Sequence, residues 1–174
     1  MPRVYAHSGI PWEPFIHERN EHLMNTFRST DEILDFAIER EEESFAFYTD
    51  LANTVKSSLM RKLFDDFAHE ELGHKAKLLA MKKEKSLVPA ERKIADLKIA
   101  DYLVETKPGF VMEYPDALRL AMQREKAAFR LYMDLAEAVQ DENVRNAFLF
   151  LAQEEAKHKL RFEVEYDNYV LNEN

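Results

Sequence analysis

Two short segments of the chain, Glu71-Leu-Gly-His74 and Glu155-Ala-Lys-His158, share the spacing Glu-x-x-His. On a helix, residues three apart share a face, so each segment offers a carboxylate and an imidazole side by side. Upstream of each stands another glutamate, Glu41 and Glu125, seven residues before Tyr48 and Tyr132 in an apolar stripe. Carboxylates inside a buried stripe are hard to tolerate, because desolvation and mutual repulsion both oppose ionisation. Two divalent cations remove the conflict: their charge balances four glutamates, while neutral imidazoles donate lone pairs. A Glu from each of two helices, with Glu-x-x-His from each of two others, is a carboxylate-bridged di-metal arrangement. Mixed oxygen and nitrogen donors with open positions favour iron or manganese, and zinc can enter the same set.

An internal repeat sets the register of these residues. Leu34–Lys75 overlays Leu118–Lys159 at an offset of 84 without a gap, and 17 of 42 positions are identical. The matches include Arg40/Arg124, Glu41/Glu125, Tyr48/Tyr132, Glu70/Glu154, Glu71/Glu155 and His74/His158. A register this strict means two copies of one helical hairpin. Glu70 and Glu154 are rival ligands, since i, i+4 spacing also brings them near the histidines. The i, i+3 pair is preferred, which leaves Glu70 and Glu154 a supporting or surface role. Glu39, Glu42 and Glu43 read as solvent-facing. Tyr48 and Tyr132 read first as core aromatics and second as hydrogen-bonding neighbours of a metal. Phe45, Phe129, Met122 and Met133 read as packing. Neither His69, matched by Gln153, nor His7, His17 and His22 near the N-terminus are taken as ligands.

The elements that must position this set are long helices. Ser29-Thr-Asp-Glu32 has the form of a capping box, and Ile33, Leu34, Ala37, Ile38, Phe45, Tyr48, Leu51, Ala52 and Val55 follow at helical spacing. Lys56-Ser-Ser is a turn, and a second helix carries Leu59, Leu63, Phe64, Phe67, Ala68, Leu72, Leu78 and Leu79 to near Lys85. Pro115 and Asp116 suit the start of a third helix. A turn with Asp141 as cap leads to a fourth, ending near Tyr169. Helices of about 24–28 residues are about 36–42 Å long. The predicted fold is all-α, a ferritin-like four-helix bundle of two repeated hairpins joined by a long crossover. Its divisions are an N-terminal arm at 1–30 and a bundle at 31–170. The bundle comprises a first hairpin at 31–85, a crossover at 86–115 and a second hairpin at 116–170. The crossover holds an amphipathic stretch at 94–103, and its length lets the second hairpin begin at the end where the first began.

Composition narrows the function. A chain of 174 residues is one domain by the usual ~100–200 residue measure, and it contains no cysteine. Thiol catalysis, Cys-ligated zinc and iron–sulfur clusters are therefore excluded. Three glycines and six prolines, against average usage of about 7% and 5%, argue against turn-rich β architectures. A net charge of −9 argues against nucleic acid and for attraction of cations. The longest apolar run, Ala147–Ala152, is far too short to span a bilayer, and the first residues lack a signal-peptide core. The expected location is the cytoplasm, with no membrane partner.

The ordered pattern Ala-Ile-x-x-Glu41, Phe45, Tyr48, Leu-Ala, Glu71-x-x-His74, repeated with Glu125, Tyr132, Glu155 and His158, resembles the rubrerythrin branch of the ferritin-like superfamily over about residues 33–165. The resemblance implies a non-haem di-iron oxidoreductase that reacts with peroxide or dioxygen and is re-reduced by an external electron donor. It implies that Glu41 and Glu125 are terminal carboxylates, Glu71 and Glu155 bridge two iron ions, and His74 and His158 give each metal one nitrogen. Family members often dimerise, sometimes by exchanging helices, so a homodimer is expected. Two features depart from the pattern. Rubrerythrins proper carry a Cys-ligated rubredoxin domain, which a chain without cysteine does not contain. Their third bundle helix also has a glutamate where this chain has Ala128, so the site implied is the symmetric six-ligand type, closer to bacterioferritin. Iron handling without turnover and a structural metal site are the alternative functions, and related di-iron bundles also oxidise aldehydes or hydrocarbons.

Overall fold

The structure, a computed structural model, describes Phe27, residues 29–84, Tyr102, Val104 and residues 113–172. The arm at 1–30, the histidines His7, His17 and His22, and the amphipathic stretch at 94–103 lie mostly or wholly outside the described residues. Four helices follow in order: α1 Thr30–Thr54, α2 Ser58–Glu84, α3 Tyr114–Ala138 and α4 Glu142–Asn172. No strand occurs among the described residues, and none of their helices is long and apolar enough to cross a membrane.

Local chemistry explains where the helices begin. The Ser29 hydroxyl caps α1 by accepting from the Glu32 N–H at 3.2 Å, and Asp31 and Glu32 favour the positive end of the helix dipole. Pro115 lies in the first turn of α3, where a missing N–H does no harm. Asp141 Oδ1 accepts from the N–H groups of Asn143 and Val144 at 2.9 and 3.1 Å, which caps α4 as expected. Between α3 and α4, Arg145 ties the turn down by donating to the carbonyls of Ala136 and Val139 at 3.3 and 2.9 Å.

Helix α1 packs along α2 and α3 along α4, and the two hairpins face each other. The core divides into two apolar clusters. One joins Ile33, Leu34 and Ala37 at the start of α1 to Leu78 late in α2, Leu135 late in α3 and Phe148 early in α4. The other joins Tyr48 and Leu51 late in α1 to Phe64 early in α2, Leu118 early in α3 and Phe162 in the second half of α4. These groupings fix the directions of the helices. The start of α3 lies beside the end of α1, not beside its start. The expectation that the second hairpin begins where the first began is therefore corrected: the hairpins are related by an approximate two-fold axis across the bundle, and α2 ends at the opposite end from where α3 starts. The physical reason is simple. Helix α2 has already returned the chain to its starting end, and about 30 residues of connector reach far more than one bundle length.

Three leucines of the amphipathic reading point outward. Leu59, Leu72 and Leu79 are exposed on α2, as are Phe129, Phe150, Leu160 and Val164 in the second hairpin.

Candidate metal centre

Between the two apolar clusters lies one polar layer. Each helix contributes to it where the clusters leave off: Glu41 on α1, Glu71 and His74 on α2, Glu125 on α3, Glu155 and His158 on α4. None of the six is more than 3% exposed. They form two overlapping groups, Glu41, Glu71, His74 and Glu155 in one and Glu71, Glu125, Glu155 and His158 in the other. Within each group the donor atoms lie within 4.8 Å of one another. Glu71 and Glu155 belong to both.

His74 Nδ1 stands 3.4 Å from Glu41 Oε2, 3.2 Å from Glu71 Oε2 and 3.3 Å from Glu155 Oε1. His158 Nδ1 stands 3.3 Å from Glu71 Oε1, 3.6 Å from Glu125 Oε2 and 3.5 Å from Glu155 Oε2. The two imidazole rings stack with centroids 5.5 Å apart. Buried polar atoms seldom lack a hydrogen-bond partner, yet Glu41 Oε2, Glu71 Oε1, Glu125 Oε2, Glu155 Oε1 and His158 Nδ1 are all buried without one. Four carboxylate oxygens and an imidazole nitrogen gathered in one dry layer suit cations, which accept lone pairs from all of them. The residues present fit a pair of metal ions.

The electrostatics show how strained this layer is with side chains alone. Burial pushes Glu41 and Glu125 well above the usual carboxylate range, and repulsion from Glu155 adds to both. For His74, burial works downward but is outweighed by the contacts with Glu155, Glu41 and Glu71, and the ring is pushed up to about 12. His158 is raised in the same way, burial being outweighed by Glu125, Glu155 and Glu71. Burial would raise Glu155, but Glu125, His158 and His74 together hold it below its ordinary value. Protons thus perform in the metal-free layer the neutralisation that cations perform in a loaded one.

A second ring of contacts orients the donors. The Tyr48 hydroxyl donates to Glu125 Oε1, and the Tyr132 hydroxyl donates to Glu41 Oε1. Each bond crosses from one hairpin to the other and leaves Oε2 turned to the centre. Glu70 Oε2 lies 2.9 Å from His158 Nε2, and its Oε1 accepts from Arg161 at 2.6 Å. With Nε2–H donating to Glu70, Nδ1 is the nitrogen left facing the carboxylates, and once it loses its proton it can serve a metal ion. Burial would raise Glu70, but Arg161 and His158 outweigh it and lower its pKa. Its counterpart Glu154 instead accepts from Lys157 at 2.6 Å.

A cavity of about 90 Å³ opens between α1 and α3, and its wall includes Arg40, Glu43, Arg124, Glu125, Ala128 and Tyr102. Glu43 is thus more than a solvent-facing residue: it accepts from Arg40 at 2.7 Å and helps to line this space. The Tyr102 hydroxyl donates to Asp134, which anchors that residue of the connector against α3. Burial lowers the pKa of the Arg124 guanidinium, and the charge of Arg40 pushes in the same direction against the pull of Glu43.

All six sequence-predicted residues come together. His69 does not join them, being exposed with Nδ1 2.7 Å from the Asp65 carbonyl. Sequence reasoning gave no role to Arg40 and Arg124, although their identity across the repeat, one residue before Glu41 and Glu125, was a signal for one.

A family model described as Rubrerythrin matches residues 32–166. Among solved structures, a hypothetical protein from Pyrococcus furiosus is 27% identical, with 80% of this chain and 89% of that one covered and a TM-score of 0.58. A protein from Thermotoga maritima described as a ferritin-like diiron-carboxylate protein is 17% identical, with 82% and 97% covered and a TM-score of 0.60. A conserved hypothetical protein from Mycobacterium tuberculosis is 18% identical, with 76% and 94% covered and a TM-score of 0.56. At 17% and 18% identity the likeness is one of fold, the ferritin-like four-helix bundle. No curated protein matches the chain.

Proposed function

Because the chain belongs to the rubrerythrin family, we propose that it is a non-haem di-iron oxidoreductase, reacting with peroxide or dioxygen and re-reduced by an external electron donor. Glu41 and His74 would hold one iron, Glu125 and His158 the other, and Glu71 and Glu155 would bridge them. The observation that carries this reading is the overlap of the two donor groups at Glu71 and Glu155. Two dications there would balance four carboxylates, and each would keep one histidine and one unshared glutamate. Oxygen and nitrogen donors without thiolate suit iron, and manganese or zinc can compete for the same set.

When bound in their reduced state, a pair of iron ions would supply the two electrons that reduction of peroxide to water requires. The chain's own residues do the rest. Tyr48 and Tyr132 fix the terminal carboxylates by holding one oxygen of each. Glu70 fixes the tautomer of His158. Apolar clusters on both sides of the layer exclude bulk water, and the cavity that reaches Glu125 offers a small oxidant a way in. Exposed apolar side chains, with Leu72 and Leu79 seven residues apart on α2 and Phe150 and Val164 on α4, support pairing with a second copy of the chain.

Stopped-flow oxidation of the ferrous-loaded protein tests the proposal, with peroxide and dioxygen compared in parallel. Rapid oxidation that is lost in the double variant Glu71→Ala, Glu155→Ala is expected. A ferrous-loaded wild type inert to both oxidants contradicts it.

A further inference from the structure

Arg40 and Arg124 hold equivalent positions in the two repeats, and both line the cavity between α1 and α3. A guanidinium withdrawn from water needs partners. Arg40 has Glu43 at 2.7 Å and, more distantly, Glu39 at 3.9 Å. Arg124 lies over the Phe47 ring at 4.3 Å; the charges of Glu43 and Glu71 act on it, but among the described residues no carboxylate makes a close ion pair with it. The Nε atoms of both arginines are buried and have no hydrogen-bond partner. The two arginines thus border a small space whose acidic lining, among the described residues, is Glu43 and Glu125.

We propose that this cavity binds a short-chain carboxylate, of the size of formate or acetate, held by Arg124 and Arg40 beside Glu125. Charge supports a monoanion. The described wall carries two guanidinium groups against the single carboxylate of Glu43. Glu125 drops out of the count because it belongs to the four glutamates balanced by two dications, the one step that rests on the function proposed above. Shape supports a carboxylate, since the planar guanidinium fork matches two coplanar oxygens. Size limits its chain: an apolar cavity of about 150 Å³ accepts benzene, so about 90 Å³ leaves room for roughly three or four heavy atoms. Phe36 and Leu131, also in the wall, give a methyl group an apolar neighbourhood, and the small Ala128 side chain keeps the space open.

The test is calorimetric titration of acetate into the metal-loaded full chain at constant ionic strength, with butyrate as the size control and metal content measured on the same samples. Saturable 1:1 binding of acetate is expected, at least tenfold tighter than butyrate. Arg124→Gln should weaken it at least tenfold, and so should Ala128→Leu, which fills the space and keeps both guanidinium groups. Absence of saturable acetate binding overturns the proposal. Equal binding by wild type and both variants, as an acetate held by the metal ions alone would give, also overturns it. The metal count separates the two readings. Two ions without acetate binding removes this site and spares the dinuclear centre. Acetate binding that depends on Arg124 and Ala128 in a protein holding fewer than two ions does the reverse.

Discussion

Each of the six central side chains is there in spite of its own solvation. Glu41 and Glu125 are raised well above the ordinary carboxylate range by burial, and His74 is pushed up to about 12 by its carboxylate neighbours. At about pH 7 the metal-free layer therefore carries a proton on His74, and the upward shifts of Glu41, Glu125 and His158 favour their protonated forms as well. Metal ligation needs those donors deprotonated, so binding must release protons. By linkage the free protein binds more protons than the loaded one, and metal affinity rises with pH. Titration of metal into weakly buffered protein with a pH indicator should show more than one proton released per pair of ions. An affinity flat between about pH 6 and 8, with no release, would count against the assignment. The six donors were legible in sequence because a gapless repeat holds four carboxylates and two imidazoles in register within apolar stripes. The contacts around them were less so. A tyrosine in a core stripe shows its ring in the pattern and not the target of its hydroxyl, so the bonds from Tyr48 to Glu125 and from Tyr132 to Glu41 rest on how the hairpins face each other. Nothing in the local pattern around Arg40 and Arg124 tells a buried cation from an exposed one, and the cavity they share depends on the separation of α1 and α3, which no local pattern encodes.

The elements obey local rules closely, because caps and apolar periodicity act within a few residues. Ser29 and Asp141 cap as their residue types predict, and the helices run as expected except that α4 continues to Asn172. Asp141→Ala removes the acceptor for two N–H groups at the start of α4, and a loss of about 1 kcal/mol is expected. Urea unfolding of the variant beside wild type measures it, and a midpoint that does not move would mean that the α4 start is held by other contacts. Two element-scale features were not legible. The end of the bundle at which α3 begins depends on the path of the connector. Leu59, Leu72 and Leu79 fall just outside the inward stripe of α2, where hydrophobicity alone does not reveal which way a side chain points.

At the scale of the whole molecule, four helices converge on a layer that opposes their packing unless cations or protons neutralise it. An ion that binds only the folded bundle stabilises it by mass action, about 2.7 kcal/mol at a free concentration a hundredfold above the dissociation constant. At roughly 2–4 °C per kcal/mol for a chain of this size, removing metal with a chelator should lower Tm by roughly 5–11 °C. Calorimetry of stripped and reloaded protein checks this, and equal Tm values would show that protons alone satisfy the layer. The account depends most on two ions sharing Glu71 and Glu155. Anomalous diffraction at the iron edge, from crystals of iron-loaded protein, tests that directly. Two peaks are predicted per chain, one beside Glu41 and His74 and one beside Glu125 and His158, with Glu71 and Glu155 between them. A single peak, or none within this layer, would contradict the account.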